Sequence, residues 1–144
     1  MTSRPLMLDT GPLARLVHPK LDRDFADWFA AAVEADQDIV IPEIADYELR
    51  RKLLHKDFKR SLARLDSLAE SLIFLAIDTR TLRRAAELWA AARRRGHPTA
   101  PPDSLDGDVI LAAQAEAIGA TVVTEDLDDL GQFVPTRRWT EITF

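Results

Sequence analysis

Four acidic residues stand where apolar, strand-like runs meet helix-like ones. They are Asp9 in MLDTGPL, Glu48 in ADYELRRKL, Asp108 in LDGDVILAAQA and Asp126 in VVTEDLDDL. Asp9 and Asp126 follow short β-like runs, whereas Glu48 and Asp108 lie in helical patterns. In an open α/β sheet, ligands bind beyond the carboxyl ends of the strands. Carboxylates gathered there repel one another and resist ionising together. A divalent cation relieves that repulsion. Donors that are all oxygen, with no cysteine and no histidine cluster, suit a hard ion such as Mg²⁺ or Mn²⁺. The chemistry open to such a set is metal-assisted phosphoester hydrolysis, in which the ion lowers the pKa of a bound water and clamps phosphate oxygens.

Each acid also has a plain structural explanation. Asp9 before Thr10-Gly11-Pro12 fits an N-cap or Asx-turn. Asp126 lies in T-E-D-L-D-D-L, an acid-dense stretch in which Asp129 could replace or assist it. Asp106 and Asp108, two apart, cannot both face one site; with Asp106 as N-cap, Asp108 falls in a first turn where the helix dipole favours its charge. Glu48 shares a helical stripe with Ile44 and Lys52, as many surface glutamates do. His18, His55 and His97 are dispersed, so no histidine is placed as a general base.

The elements that must position these acids alternate between strand and helix. Leu6–Leu8 reads as a strand ending at Asp9, followed by a Gly11-Pro12 turn and a helix start with Pro12 in its first turn. Asp22 to Ala35 carries Phe25, Trp28, Phe29, Ala32 and Val33 at helical spacing. Ile39-Val40-Ile41 reads as a buried strand. Pro42 ends it and opens a helix reaching His55. Phe58 to Leu68 is a further amphipathic helix. Leu72 to Ile77 is a third strand, and Asp78 or Thr79 caps a helix that Gly96 terminates after Arg95. Trp89 reads as a core residue of that helix. His97 to Pro102 is a proline-rich loop. Ser104 or Asp106 caps the next helix, which Gly119 closes, and Ala120–Thr124 is a strong strand. Trp139 to Phe144 alternates like a short edge strand, with Trp139 available to an interface. The alternation predicts a mainly parallel sheet of about five strands covered on both faces.

The chain has 144 residues, the size of one domain spanning 1–144, and 47% of them are hydrophobic, too many for disorder. It contains no cysteine, which excludes disulfides and thiolate metal sites and points to the cytoplasm. No run approaches the roughly 20 apolar residues of a membrane span. The net charge of −5 argues against general nucleic-acid binding, which relies on phosphate neutralisation. Basic residues nonetheless cluster after Glu48: Arg50, Arg51 and Lys52, then Lys56, Lys59, Arg60 and Arg64. They could form a local track beside an acidic site.

The four local texts together resemble a PIN domain, most closely the VapC-type toxin ribonucleases. An apolar strand followed by Asp-Thr is present as Leu6-Met7-Leu8-Asp9-Thr10. A helical Glu-Leu pair followed by basic residues is Glu48-Leu49-Arg50-Arg51. An Asp followed by apolar residues and paired alanines is Asp108-Val109-Ile110-Leu111-Ala112-Ala113. A strand, Thr, one residue and Asp is Val122-Val123-Thr124-Glu125-Asp126. Gly11-Pro12 departs from the family, which more often has Asn or Ser followed by an apolar residue.

The resemblance implies a three-layer α/β/α PIN-like fold and a Mg²⁺- or Mn²⁺-dependent endoribonuclease. Asp9, Glu48 and Asp108 would hold the principal ion, and Asp126 would complete its shell or serve a weaker second site. Thr10 and Thr124 would orient carboxylates or water, and Arg50, Arg51 and Lys52 would contact RNA. It also implies the toxin role of a type II toxin–antitoxin pair, a homodimer, and a groove for a cognate antitoxin. The alternatives are a PIN nuclease with no toxin role and a catalytically silent module that binds RNA or protein. A phosphatase with an aspartate nucleophile would want an acid two residues after Asp9, where Gly11 stands. No G-x-G-x-x-G loop follows the first strand, which disfavours dinucleotide binding.

Overall fold

The computed structural model describes residues 3–96 and 102–144, with side chains throughout those spans except at 102–104. The elements run β1 (Leu6–Leu8), α1 (Thr10–Val17), α2 (Arg23–Glu34), β2 (Ile39–Pro42), α3 (Glu43–His55), α4 (Lys59–Ser71), β3 (Ile73–Leu75), α5 (Thr79–Arg94), α6 (Pro102–Ile118), β4 (Thr121–Val123), α7 (Leu127–Gly131) and β5 (Thr136–Arg137), then a 3₁₀ turn at Trp139–Glu141. The strands form one parallel sheet in the order β3-β2-β1-β4-β5. The strand order reverses at β1, and its crevice with β4 is where an open α/β sheet binds ligands.

Side-chain alternation along the strands assigns the two faces. Leu6, Leu8, Ile39, Ile41 and Val123 point into a core with Leu13 and Val17 of α1, Phe25 and Trp28 of α2, Leu49 and Leu53 of α3, and Leu65 of α4. Met7, Val40 and Val122 point the other way, onto Leu111, Ala112 and Ala115 of α6 and Leu130 of α7. Both faces are therefore covered, and the result is a three-layer α/β/α sandwich. The small residues of α6 let it lie close on the sheet. On its far side, α5 packs against it through Ala85 and Ala92, which meet Leu105, Val109 and Ala113.

Several elements differ from the sequence expectation. Helix α1 starts at Thr10, directly after Asp9, with no intervening turn; Pro12 does fall in its first turn. Helix α4 runs on to Ser71, which leaves β3 only three residues on the sheet edge. Helix α6 begins at Pro102, so neither Ser104 nor Asp106 is its cap, and Asp108 lies about two turns in rather than in the first turn. The reason is that proline, with its φ fixed near the helical value and no N–H to leave unpaired, suits the first position of a helix. Of the expected loop from His97 to Pro102, residues 97–101 lie outside the described residues, and Pro102 belongs to α6 instead.

The C-terminal segment Trp139 to Phe144 is not a strand. The fifth strand is Thr136–Arg137, and Trp139 turns inward against Phe25 and Trp28, with centroids 5.3 and 6.2 Å away. The indole N–H of Trp28 donates to the Ile142 carbonyl at 3.0 Å, which ties the C-terminal segment to α2. Trp89 is not core. It remains 40% exposed under the Arg93 guanidinium, because the alanines of α5 make the contact with α6.

Candidate active site

Strand β1 delivers Asp9 to the sheet's carboxyl edge. The Asp9 backbone N–H still donates to the Val123 carbonyl of β4 at 3.0 Å, so the two strand ends are tied at this point. Asp9 Oδ1 accepts from the Thr10 backbone N–H at 2.8 Å, and Oδ2 accepts from Thr124 Oγ1 at 2.8 Å. Thr124 Oγ1 in turn accepts from the Asp126 backbone N–H at 2.9 Å. One buried hydroxyl thus fixes the Asp9 carboxylate and the start of the loop carrying Asp126. Asp9 is the N-cap of α1, so its structural explanation and its place in the acidic crevice hold together.

Glu48 comes from α3, whose buried residues Ile44, Ala45, Leu49 and Leu53 leave it half-buried toward the crevice. Thr10 Oγ1 donates to Glu48 Oε1 at 3.1 Å, and Arg51 Nη2 stands 3.9 Å from Oε2. The position of α3 depends on Gln114, which is fully buried. Its carbonyl accepts from the Ile44 backbone N–H at 3.3 Å, and its amide donates to the Leu75 carbonyl at 2.8 Å. This glutamine joins α6, α3 and β3, a role that nothing in its local sequence signals.

Asp108 comes from α6 and is half-buried. Its carboxyl is pushed up to about 7, first by burial and then by the charges of Asp126, Asp9, Asp129 and Glu48. Asp9, Glu48 and Asp126, the other acids expected from the sequence, therefore all act on Asp108, joined by a fifth acid, Asp129. One carboxylate oxygen from each of Asp108, Asp126 and Asp129 lies within 4.8 Å of the others, close enough to share an ion. Asp126 is also shifted upward, by partial burial of its carboxylate and then by Asp129 and Asp9. The remaining acids of the loop stand apart. Glu125 reaches Arg15 at 3.7 Å, and Asp128 is exposed. Asp106 is exposed on α6 and is not among the charges that most affect Asp108.

The donor set fits a hard divalent cation. Every donor is a carboxylate, and the leading influences on Asp108 all oppose its ionisation. The basic residues after Glu48 divide into two kinds. Arg50 is committed: Nε meets Asp46 Oδ1 at 2.9 Å, and Nη1 meets Asp66 Oδ1 at 2.8 Å. Arg51 and Lys52 are exposed, with Arg51 stacked over Tyr47.

This crevice, at the reversal point of a parallel sheet, defines an acidic, metal-competent α/β site. The model of the PIN domain family matches residues 6–132, and the chain belongs to that family. No curated protein matches it in sequence. Among the solved structures that share its fold, three illustrate the likeness. VapBC2 from Rickettsia felis, bound to a promoter DNA fragment, superposes with a TM-score of 0.77 at 18% identity, covering 93% of this chain and 98% of that one. DNA-bound VapBC from Salmonella typhimurium gives 0.73 at 22%, covering 95% and 99%. FitAcB from Neisseria gonorrhoeae gives 0.72 at 19%, also covering 95% and 99%.

Proposed function

We propose that this protein is a Mg²⁺- or Mn²⁺-dependent endoribonuclease and the toxin of a type II toxin–antitoxin pair. The observation that carries the nuclease reading is the gathering of Asp108, Asp126 and Asp129, one carboxylate oxygen of each within 4.8 Å of the others, in a PIN domain. Asp9, Glu48, Asp108 and Asp126 are the residues we assign to the metal, with Asp129 beside Asp108 and Asp126. Bound there, the ion supplies a water of lowered pKa and neutralises charge on the phosphate. Thr124 holds the Asp9 carboxylate in place and Thr10 holds that of Glu48, as outer-shell partners do. Arg50 is already engaged by two carboxylates, so the RNA phosphate falls to Arg51 and Lys52.

The toxin role is supported by the fold shared with VapBC and FitAcB structures. A groove of about 570 Å³ runs between α1 and the corner where α3 meets α4, with Ala14, Val17, Leu49, Leu53 and Phe58 among its lining residues. We assign it to a cognate antitoxin segment, and we expect the chain to be a homodimer. No helix among the described residues is long and apolar enough to cross a membrane.

The test is cleavage of a panel of structured and single-stranded RNAs in Mg²⁺ or Mn²⁺, with an EDTA control and the Asp9→Asn variant. Metal-dependent cutting that the variant loses supports the reading. Equal cutting by the variant and the wild type sinks it.

A further inference from the structure

We infer that Gly107 is a positioning residue for Glu48, and that the missing side chain beside Asp108 admits the Glu48 carboxylate to the crevice. The inference rests on the metal-dependent reading above and deepens it. Gly107 lies inside α6, where glycine is a poor helix former. Its backbone is not left-handed; among the described glycines only Gly96 and Gly119 have positive φ. Conformational freedom therefore does not account for a glycine at this position, but space does. A Cβ built on Gly107 would stand 2.7 Å from Glu48 Oε2, 3.3 Å from its Cδ and 3.4 Å from Oε1.

The whole carboxylate thus rests on the bare face of α6. Thr10 of α1 fixes Oε1 from one side, and Arg51 of α3 approaches Oε2 from another. A methyl group at 107 meets only the far end of a flexible side chain. The cheap response is for the Glu48 carboxylate to swing out of the crevice while the helices stay in place. Gly11 is a control within the same site. It lies in α1 two residues after Asp9, and a Cβ there meets nothing within 4 Å.

The experiment is a calorimetric Mn²⁺ titration of the full chain, with Tm in EDTA, for wild type, Gly107→Ala, Gly11→Ala, Glu48→Ala and the Gly107→Ala/Glu48→Ala double variant. Gly107→Ala is expected to bind Mn²⁺ about tenfold more weakly or worse, in the range typical of a lost outer-shell constraint. Its Tm in EDTA should equal or exceed that of wild type, since alanine suits a helix better. Gly11→Ala should bind like wild type. The double variant should bind no more weakly than Glu48→Ala, because the two changes act through one carboxylate. Wild-type affinity in Gly107→Ala, losses that multiply in the double variant, or a Tm loss parallel to the affinity loss each overturn the positioning role. A wild-type chain that takes up no Mn²⁺ removes the metal reading itself. A wild type that binds while Gly107→Ala is indifferent removes the positioning role alone.

Discussion

Asp108 and Asp126, both pushed upward, give the site its pH behaviour, and Asp108 carries the larger part. Its carboxyl rises from 3.8 in the unfolded chain to about 7 in the fold. Between those values the native state binds the proton and the unfolded state does not, so stability falls as pH rises through that window. Below the unfolded value both states are protonated and the stabilising contribution is complete; above about 7 it is gone. The metal-free protein in EDTA should therefore lose Tm between pH 4 and pH 7 relative to Asp108→Asn, which has no carboxyl at that position. A wild-type and variant pair with parallel Tm profiles contradicts this assignment. Metal uptake has the opposite dependence, because the ion displaces the proton: Mn²⁺ affinity should rise with pH and level off above about 7. Asp9, Glu48, Asp108 and Asp126 were legible at this scale because each belongs to a short text with a recognisable order. Asp129 was legible only as an alternative, since which acids of a dense loop turn inward depends on the helix that follows.

At the scale of elements, α6 and α3 do most to arrange the site. Helix α6 carries Asp108, lends its bare Gly107 face to Glu48, and through Gln114 anchors the start of α3. Replacing Gln114 with leucine, a slightly larger apolar side chain, leaves the Ile44 N–H and the Leu75 carbonyl without this partner. Such orphaned groups cost about 1–3 kcal/mol each, so Gln114→Leu should unfold at clearly lower urea. An unchanged urea midpoint would show that the two backbone groups find other partners. The spans of α2, α3 and α5 were legible from apolar spacing and end signals: the apolar set within 22–35 for α2, Pro42 before α3, and Asp78 or Thr79 before α5 with Gly96 after it, where the structure makes Asp22 and Asp78 the caps. The start of α6 was not, because the Ser104 and Asp106 cap signals compete locally with Pro102 and only the packed helix decides between them.

For the whole molecule, the distribution of charge matters more than its sum. A net charge of −5 coexists with a basic stretch beside the acidic crevice. Pairing with Asp46 four residues back on α3 and with Asp66 of α4 has withdrawn Arg50 from that stretch, while Arg51 and Lys52 stay in solvent. The Arg51→Ala/Lys52→Ala variant should bind single-stranded RNA more weakly and reduce the slope of log affinity against log salt by about 1.4, two phosphate contacts' worth. Arg50→Ala should lower Tm and leave that slope alone. The reverse pattern in filter binding would move the RNA track to Arg50. The sequence by itself determined the alternation of strand and helix, the parallel sheet and the four ordered acids, because strand and helix periodicity and end signals are local properties of the chain. Only the tertiary structure decided which acids meet, that Arg50 also reaches Asp66 of α4, that Trp139 joins the Phe25–Trp28 cluster, and that a glycine on α6 makes room for a glutamate on α3. Those outcomes depend on distances between segments far apart in sequence, and such distances exist only once both faces of the sheet are packed.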